Sequence, residues 1–269
     1  MKGKVVIVTG ASSGIGKALA YRFNTAGSHL VLAARNQAKL KEIQSDLEQQ
    51  GNGQILTVPT DVTSREACEH LVAEAVRQFG RVDVLINNAG ISMRALVQDL
   101  DVEVIERVMQ VNFFGTVYCT KAALAEVMKN KGAIVGVSSI AGFRGLPARS
   151  GYSSSKFAMH GFLEALRTEL LEKDVHVLLA CPGFTESNIR NTALTQDGSP
   201  QGKTPLAESN LMTAEEVADR IYKALIGKKR TLVLTRQGKL TVFMNKLFPK
   251  WMDKMVLNHF KKEPDSPLK

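Results

Sequence analysis

The chain has 269 residues, 44% hydrophobic and 23% charged, the balance of a globular protein that can bury a sizeable core. Its formal net charge of +9 is unevenly placed: residues 1–227 carry 24 Lys+Arg against 23 Asp+Glu, whereas 228–262 carry ten basic residues and one acid, Asp253. Cys68, Cys119 and Cys181 and the five histidines are scattered, a spacing that excludes a disulfide framework or a zinc site and suits a reducing, cytoplasmic compartment.

In chain order, Met1-Lys2-Gly3-Lys4 runs straight into a short apolar stretch. No signal peptide is expected, and the stretch is too short for a membrane span. Lys4–Thr9 predicts a strand buried on both faces. Gly10-Ala11-Ser12-Ser13-Gly14-Ile15-Gly16 follows, and the residues up to Gly27 predict a helix. Strand, glycine loop and helix together point backbone N–H groups and a helix N-terminus at a phosphate. Gly10 permits the turn, and Gly14 and Gly16 permit close approach.

Leu30–Ala34 predicts the second strand, ending at Arg35. An acid at that end would accept from an adenosine ribose hydroxyl and repel a 2′-phosphate. Arg35 offers a guanidinium instead, which favours NADP over NAD; a solvated surface arginine is the plainer alternative. A helix over 37–50 and a strand over Ile55–Val58 come next, then Asp61-Val62. Asp61 suits the adenine amino group, or else the N-terminal cap of the helix over 64–79. The strand Val82–Ile86 runs into Asn87-Asn88-Ala89-Gly90, whose amides could brace the sheet or meet a cofactor.

Helices are predicted over 101–111 and 112–130. Asn112, among Val111, Phe113 and Phe114, is expected to be buried and to need partners, which a water chain toward Lys156 would supply. Ala133–Val137 is a strand ending at Ser138-Ser139. A loop leads into a helix over 152–173 carrying Tyr152 and Lys156. These two lie four residues apart, on one face, where an ammonium would lower the phenol's pKa. With the Ser139 hydroxyl nearby, the set can move a proton on or off a carbonyl or alcohol.

Val175–Ala180 ends at Cys181-Pro182-Gly183. Residues 184–212, rich in polar residues and Gly, read as a binding lid. A helix over 214–226 and a strand over Thr231–Leu234 complete a doubly wound, mostly parallel seven-stranded sheet with helices on both faces, one domain over 1–235. Its candidate ligand residues all fall at the C-terminal ends of strands.

Residues 236–269 form a separate basic extension. Leu240, Phe243, Met244, Leu247, Phe248, Trp251, Met252, Met255, Val256 and Phe260 make an apolar stripe among lysines, and Pro249 divides two helices. Packing on the domain or a second subunit, and contact of 238–262 with an anionic membrane surface, are two compatible readings. A nucleic-acid partner is not expected, because the aromatics share the aliphatic stripe.

Taken together, Thr9-Gly-Ala-Ser-Ser-Gly14-Ile-Gly16, Asp61-Val62, Asn87-Asn88-Ala89-Gly90, Asn112, Ser139, Tyr152-x-x-x-Lys156 and Pro182-Gly183 resemble the short-chain dehydrogenase/reductase family over about residues 4–235. The resemblance implies that Tyr152 is the general acid/base and that Lys156 lowers its pKa and bonds the nicotinamide ribose. Ser139 would bind the substrate oxygen, and Asn112 would hold a relay water. Gly10, Ser12, Ser13, Gly14 and Ile15 would cradle the dinucleotide, with Asp61 and Val62 at the adenine and Asn88, Ala89 and Gly90 near the ribose. After Pro182-Gly183, Thr185 or Ser187 would reach the carboxamide. Relatives pair the helices equivalent to 112–130 and 152–173, which implies a homodimer or homotetramer.

The expected activity is NADP(H)-dependent interconversion of a ketone and a secondary alcohol, in the direction of carbonyl reduction. Met93, Leu96, Phe143, Leu146 and Phe184 near the mouth imply a hydrophobic substrate. Arg94, Arg144 and Arg149 could meet an acidic head group, but solvated charges are the expected reading. Two other functions fit the fold: a dinucleotide sensor or scaffold without turnover, and a reductase of carrier-linked acyl groups. No metal is expected, and the location is cytoplasmic, with or without attachment to the membrane face.

Overall fold

Seven parallel strands lie in the order β3-β2-β1-β4-β5-β6-β7. The computed structural model describes residues 1–185, 189–202 and 211–269. The strands are β1 (Val5–Thr9), β2 (His29–Ala34), β3 (Ile55–Pro59), β4 (Val84–Asn87), β5 (Ala133–Val137), β6 (His176–Cys181) and β7 (Thr231–Val233). Between them run α1 (Gly14–Thr25), α2 (Gln37–Gln49), α3 (Arg65–Phe79), α4 (Val102–Met109), α5 (Gly115–Lys129), α6 (Ser150–Glu169) and α7 (Ala214–Ile226). The extension supplies α8 (Arg236–Leu247) and α9 (Pro249–Lys261).

Alternation along each strand divides the core into two layers. In β1, Val6 and Val8 face one layer with Leu19 and Phe23 of α1 and Val217 and Ile221 of α7. Val5 and Ile7 face the other, with Cys119 and Ala123 of α5 and Met159 and Leu163 of α6. A strand buried on both faces must be apolar at consecutive positions, which is why these segments read as unbroken hydrophobic runs. The sheet order reverses between β1 and β4, and the crevice at their C-terminal ends is where such sheets take ligands.

Several details depart from the sequence reading. Ser64, not Asp61, caps α3, accepting from Ala67 N at 3.1 Å. The helices over 101–111 and 112–130 are one continuous rod, α4 joined to α5 by a π-helical segment, Gln110–Phe114, containing Asn112. α6 starts two residues earlier than expected and ends in a 3-10 turn at Leu171–Lys173. Cys68 and Cys119, 51 residues apart, meet at 3.4 Å between α3 and α5 as free thiols. Sequence spacing could not show that pair.

The described part of the expected lid is fastened down. Leu194 N donates to Ser92 O and Leu194 O accepts from Arg94 N, at 2.9 and 2.8 Å, while Asp101 N donates to Gln196 O at 3.0 Å.

The extension folds back on the domain. Met252, Val256 and Phe260 of α9 bury with Leu146 and Met244. Asn245 accepts from Arg144 and donates to Phe143 O, and Arg144 also pairs with Asp253. The opposite side of the stripe, Leu240, Phe243, Leu247, Phe248, Trp251 and Met255, is exposed. No helix among the described residues is long and apolar enough to cross a membrane.

Candidate active site

The glycine loop between β1 and α1 is bound to the end of β4. Thr9 Oγ1 accepts from the backbone N–H groups of Asn88 and Ala89, both at 3.0 Å, and donates to Ile86 O. Asn88 Nδ2 donates to Thr9 O at 2.9 Å and Gly10 O at 3.3 Å. Of the two roles open to the Asn88 amide, the described contacts are those of a sheet brace. A Cβ on Gly16 would lie 2.2 Å from Gly10 O, so only glycine allows α1 to close on the loop.

Ser13 at the N-cap of α1 makes no side-chain cap bond, and the first turn has no acid. By contrast α2, α3 and α7 are capped by Asn36, Ser64 and Thr213. The α1 N-terminus therefore keeps its partial positive charge and its amides for a ligand. Ser12, Gly14 and Ile15 are only partly covered around it. This cradle fits a dinucleotide pyrophosphate.

Arg35 is exposed at the end of β2. Asp61, at the end of β3, accepts from Thr63 N and Thr63 Oγ1 at 3.0 and 2.8 Å. Burial would raise its carboxyl pKa, but those hydrogen bonds and the charge of Arg35 outweigh burial and lower it. Arg35 and Asp61 are thus electrostatic neighbours. Val62 is buried behind them.

Asn112 is fully buried, as expected. Its side chain is bonded to protein groups on both sides. Oδ1 accepts from Ile91 N at 2.8 Å, and Nδ2 donates to Ile91 O and Ser155 Oγ, both at 2.9 Å. Ser155 in turn donates to Tyr152 O at 2.7 Å. A chain of hydrogen bonds therefore links the π segment to the first turn of α6, which carries Tyr152. A Cβ on Gly90 would stand 3.2 Å from Asn112 Oδ1 and 3.7 Å from Lys156 Nζ, so Gly90 lets both groups converge.

Lys156 is buried, and its Nζ donates to Val137 O at 3.1 Å. It stands 5.6 Å from the Tyr152 ring centroid. Burial pulls its pKa down to about 8, with Cys181 opposing. The Tyr152 phenol is raised above its ordinary value, chiefly by burial; hydrogen bonding with Ser139 and the charge of Arg149 act against that rise. The net direction is opposite to the one expected from a neighbouring ammonium, because desolvation of a phenolate outweighs the lowering by Ser139 and Arg149. Ser139 also accepts from Ala141 N at 3.2 Å, which fixes its hydroxyl at the end of β5.

Beyond β6, Pro182 O accepts from Ile140 N at 3.1 Å. Gly183 packs against Thr235, and Thr185 is buried with its hydroxyl donating to Gly183 O at 3.2 Å. Ser187 lies outside the described residues.

Two features were missed in the sequence. His160 is buried one turn beyond Lys156, 2.8 Å from Ser138 Oγ, with its pKa pulled to about 4 by burial and by the Lys156 charge. Its i+4 spacing from Lys156 was a legible signal. The arginines expected to be solvated are not: Arg94 and Arg149 bury their guanidiniums against Glu263, and Arg144 is held by Asp253 and Asn245. No local pattern joins residues so far apart.

A doubly wound parallel sheet, a glycine cradle at its switch point and a tyrosine, serine and lysine at the ends of neighbouring elements define a dinucleotide-dependent oxidoreductase architecture. The short chain dehydrogenase family model matches residues 4–198. The Mus musculus protein named Dehydrogenase/reductase SDR family member 7B is 37% identical over 271 residues, covering 99% of this chain and 84% of its own. The Drosophila melanogaster protein named Dehydrogenase/reductase SDR family protein 7-like is 35% identical over 254 residues, 93% of this chain and 78% of its own. The chain belongs to the short-chain dehydrogenase/reductase family.

Among solved structures, an alcohol dehydrogenase from Thermococcus sibiricus complexed with 5-hydroxy-NADP superposes with a TM-score of 0.77 at 26% identity, over 87% of this chain and 96% of that one. A short chain dehydrogenase/reductase from Burkholderia phymatum in complex with NAD shares the fold, with a TM-score of 0.83 at 23% identity over 93% and 95% of the two chains.

Proposed function

We propose that the protein is an NADP(H)-dependent oxidoreductase that interconverts a ketone and a secondary alcohol, with Tyr152 as general acid/base. The observation that carries this reading is the convergence of Ser139, Tyr152 and Lys156 at the ends of β5 and α6, with Asn112 behind them. A dinucleotide sensor would have no use for a desolvated phenol beside a desolvated ammonium. Bound at the cradle, a nicotinamide dinucleotide supplies or accepts the hydride.

The residues present do the rest. Ser139 offers a hydroxyl to the substrate oxygen. A phenol with a raised pKa stays protonated at neutral pH, the form that donates to a carbonyl oxygen as charge develops on it. That property supports reduction as the working direction. The Lys156 ammonium, held by Val137 O, keeps positive charge near the proton transfer and would be the group to bond a nicotinamide ribose. Asn112 and Ser155 hold the backbone of the catalytic turn. Arg35, with no acid at the end of β2, supports preference for a 2′-phosphate.

A hydrophobic substrate suits the apolar rim, where Phe184 is part-exposed beside His259 of α9. The exposed apolar and lysine-rich side of α8 and α9 supports contact with an anionic membrane surface, from which such a substrate could be drawn. Phe114 and Phe157, exposed on the α5 and α6 side, support a homo-oligomer across those helices. The deciding experiment is Tyr152→Phe: turnover of a ketone panel should fall by about a thousandfold or more, while NADPH binding is retained. Persistent turnover would show that Tyr152 is not the acid/base.

A further inference from the structure

The extension reaches the active site through one carboxylate. Glu263, just past α9, is buried. Its two oxygens accept from Arg149 Nη2 at 3.0 and 3.1 Å, and Oε2 also accepts from Arg94 Nη2 at 3.2 Å. Pro264 O takes the same Arg94 nitrogen at 2.9 Å. The Arg149 guanidinium lies 4.7 Å from the ring centroid of Phe260 on α9. Among the described residues, Arg149 Nη1 and Arg94 Nε have no hydrogen-bond partner.

Among the described residues, two guanidiniums share the one carboxylate of Glu263, where water screens charge poorly. Arg149 stands three residues before Tyr152, at the mouth of the same helix. Ala148, with φ of 58°, holds the left-handed backbone turn that leads into it. The charge of Arg149 is felt at the phenol.

We propose that Glu263 is a positioning residue for proton transfer: by clamping Arg149 and Arg94 it sets how much positive charge faces the Tyr152 hydroxyl. The extension is thereby a working part of the active site. This rests on the reading of Tyr152 as the acid/base.

The groups around Tyr152 come from several elements. Arg149, at the N-cap, and Lys156 belong to its own helix, Ser139 lies at the end of β5 and Cys181 at the end of β6, while Glu263 in the extension and Arg94 in the segment after β4 connect to it through Arg149. Cys181, pushed up to about 12 by burial, stays a neutral thiol, and His160 behind Lys156 stays a neutral imidazole near pH 7. Among the described residues, Glu263 is the negative group of this set. Removing it favours the phenolate and lowers the phenol's pKa; removing Arg149 does the reverse.

The test needs no substrate. Phenolate absorbance of the full ligand-free chain is followed through an alkaline titration, and the Tyr152 contribution is isolated by subtracting a Tyr152→Phe titration in each background. Glu263→Gln should move the Tyr152 titration down by about one pH unit or more, Arg149→Met should move it up, and Glu263→Asp should return it toward the parent. A Tyr152 that titrates unchanged in Glu263→Gln overturns the proposal, whatever happens to thermal stability or turnover. Should Glu263→Gln fail to fold, Arg149→Met decides: a rise supports the proposal and an unmoved phenol overturns it. Failure of the acid/base reading shows itself separately, as turnover surviving in Tyr152→Phe.

Discussion

The ammonium of Lys156 is anchored to the main-chain carbonyl of Val137, 3.1 Å away, at the last residue of β5. The charge is therefore placed by the sheet itself, and Lys156 is buried there with a pKa of about 8.

A pH dependence follows from that burial. The folded chain releases the Lys156 proton near pH 8, whereas the unfolded chain holds it to an ordinary 10.5. Between those values the unfolded state binds more protons, so stability rises with pH across that window; below it the buried charge is a standing cost. Lys156→Met should abolish this rise in a denaturation series and leave a chain at least as stable below pH 8. Turnover should be lost in the variant, and in the parent it should decline as pH rises through about 8. A parent profile flat across that range would separate catalysis from the ammonium.

Two glycines should respond differently to an added methyl group. In Gly16→Ala the new Cβ meets Gly10 O at 2.2 Å and Asn88 Nδ2 at 2.5 Å, inside a loop braced on both sides. The expected loss is about 3 kcal/mol or more, read by denaturant unfolding. In Gly90→Ala the Cβ stands 3.2 Å from Asn112 Oδ1 and 3.7 Å from Lys156 Nζ, a tight but bearable fit. Stability should change by less than about 1.5 kcal/mol while kcat falls, because the groups displaced are those that place the lysine. Equal stability losses in the two variants would contradict this division.

What was legible in the sequence was what local pattern encodes. Consecutive apolar residues in Val5–Thr9 and Ala133–Val137 meant burial on both faces, and glycines between strand and helix meant a cradle. Tyr152 and Lys156 were found because a helix puts i and i+4 on one face. What stayed hidden depended on distant segments meeting. The Asn112–Ser155 bond joins residues 43 apart, and the Arg149–Glu263 pair joins residues 114 apart. The solvated reading of Arg94 and Arg149 failed because a lone arginine in a sequence carries no sign of the carboxylate that buries it. The direction of the Tyr152 shift failed for a related reason: a sequence names charged neighbours but does not measure desolvation.

Cofactor preference should turn on Arg35. Placing a carboxylate at the end of β2 with Arg35→Asp would repel a 2′-phosphate and accept from a 2′-hydroxyl, beside Asp61, which is already ionised at neutral pH. The ratio of kcat/KM for NADPH over NADH should fall by about a hundredfold, most of it through KM. A ratio that stays put would make Arg35 a surface arginine with no part in the cofactor site.

Membrane contact can be read directly, because Trp251 is the sole tryptophan and lies 49% exposed on α9. Around it Leu240, Phe243, Leu247 and Phe248 are each more than half exposed. Lys239, Lys246, Lys250 and Lys254 are exposed among them. Of the three acids in the extension, Asp253 pairs with Arg144 and Glu263 with Arg94 and Arg149, so the lysines of α8 and α9 stand in excess. An apolar surface ringed by lysines suits the interface of an anionic bilayer, each lysine contributing about 1 kcal/mol at low ionic strength. The chain should sediment with vesicles containing phosphatidylserine, with a blue shift of Trp251 fluorescence. It should sediment poorly with neutral phosphatidylcholine vesicles and dissociate as salt is raised. Replacing Phe243, Leu247 and Phe248 together with serine should weaken sedimentation by about a hundredfold, by loss of buried apolar area, and leave NADPH binding intact. A chain that stays in the supernatant with anionic vesicles at low salt would assign this surface to protein contact, and a concentration-dependent rise in mass by light scattering would then identify a second copy as its partner.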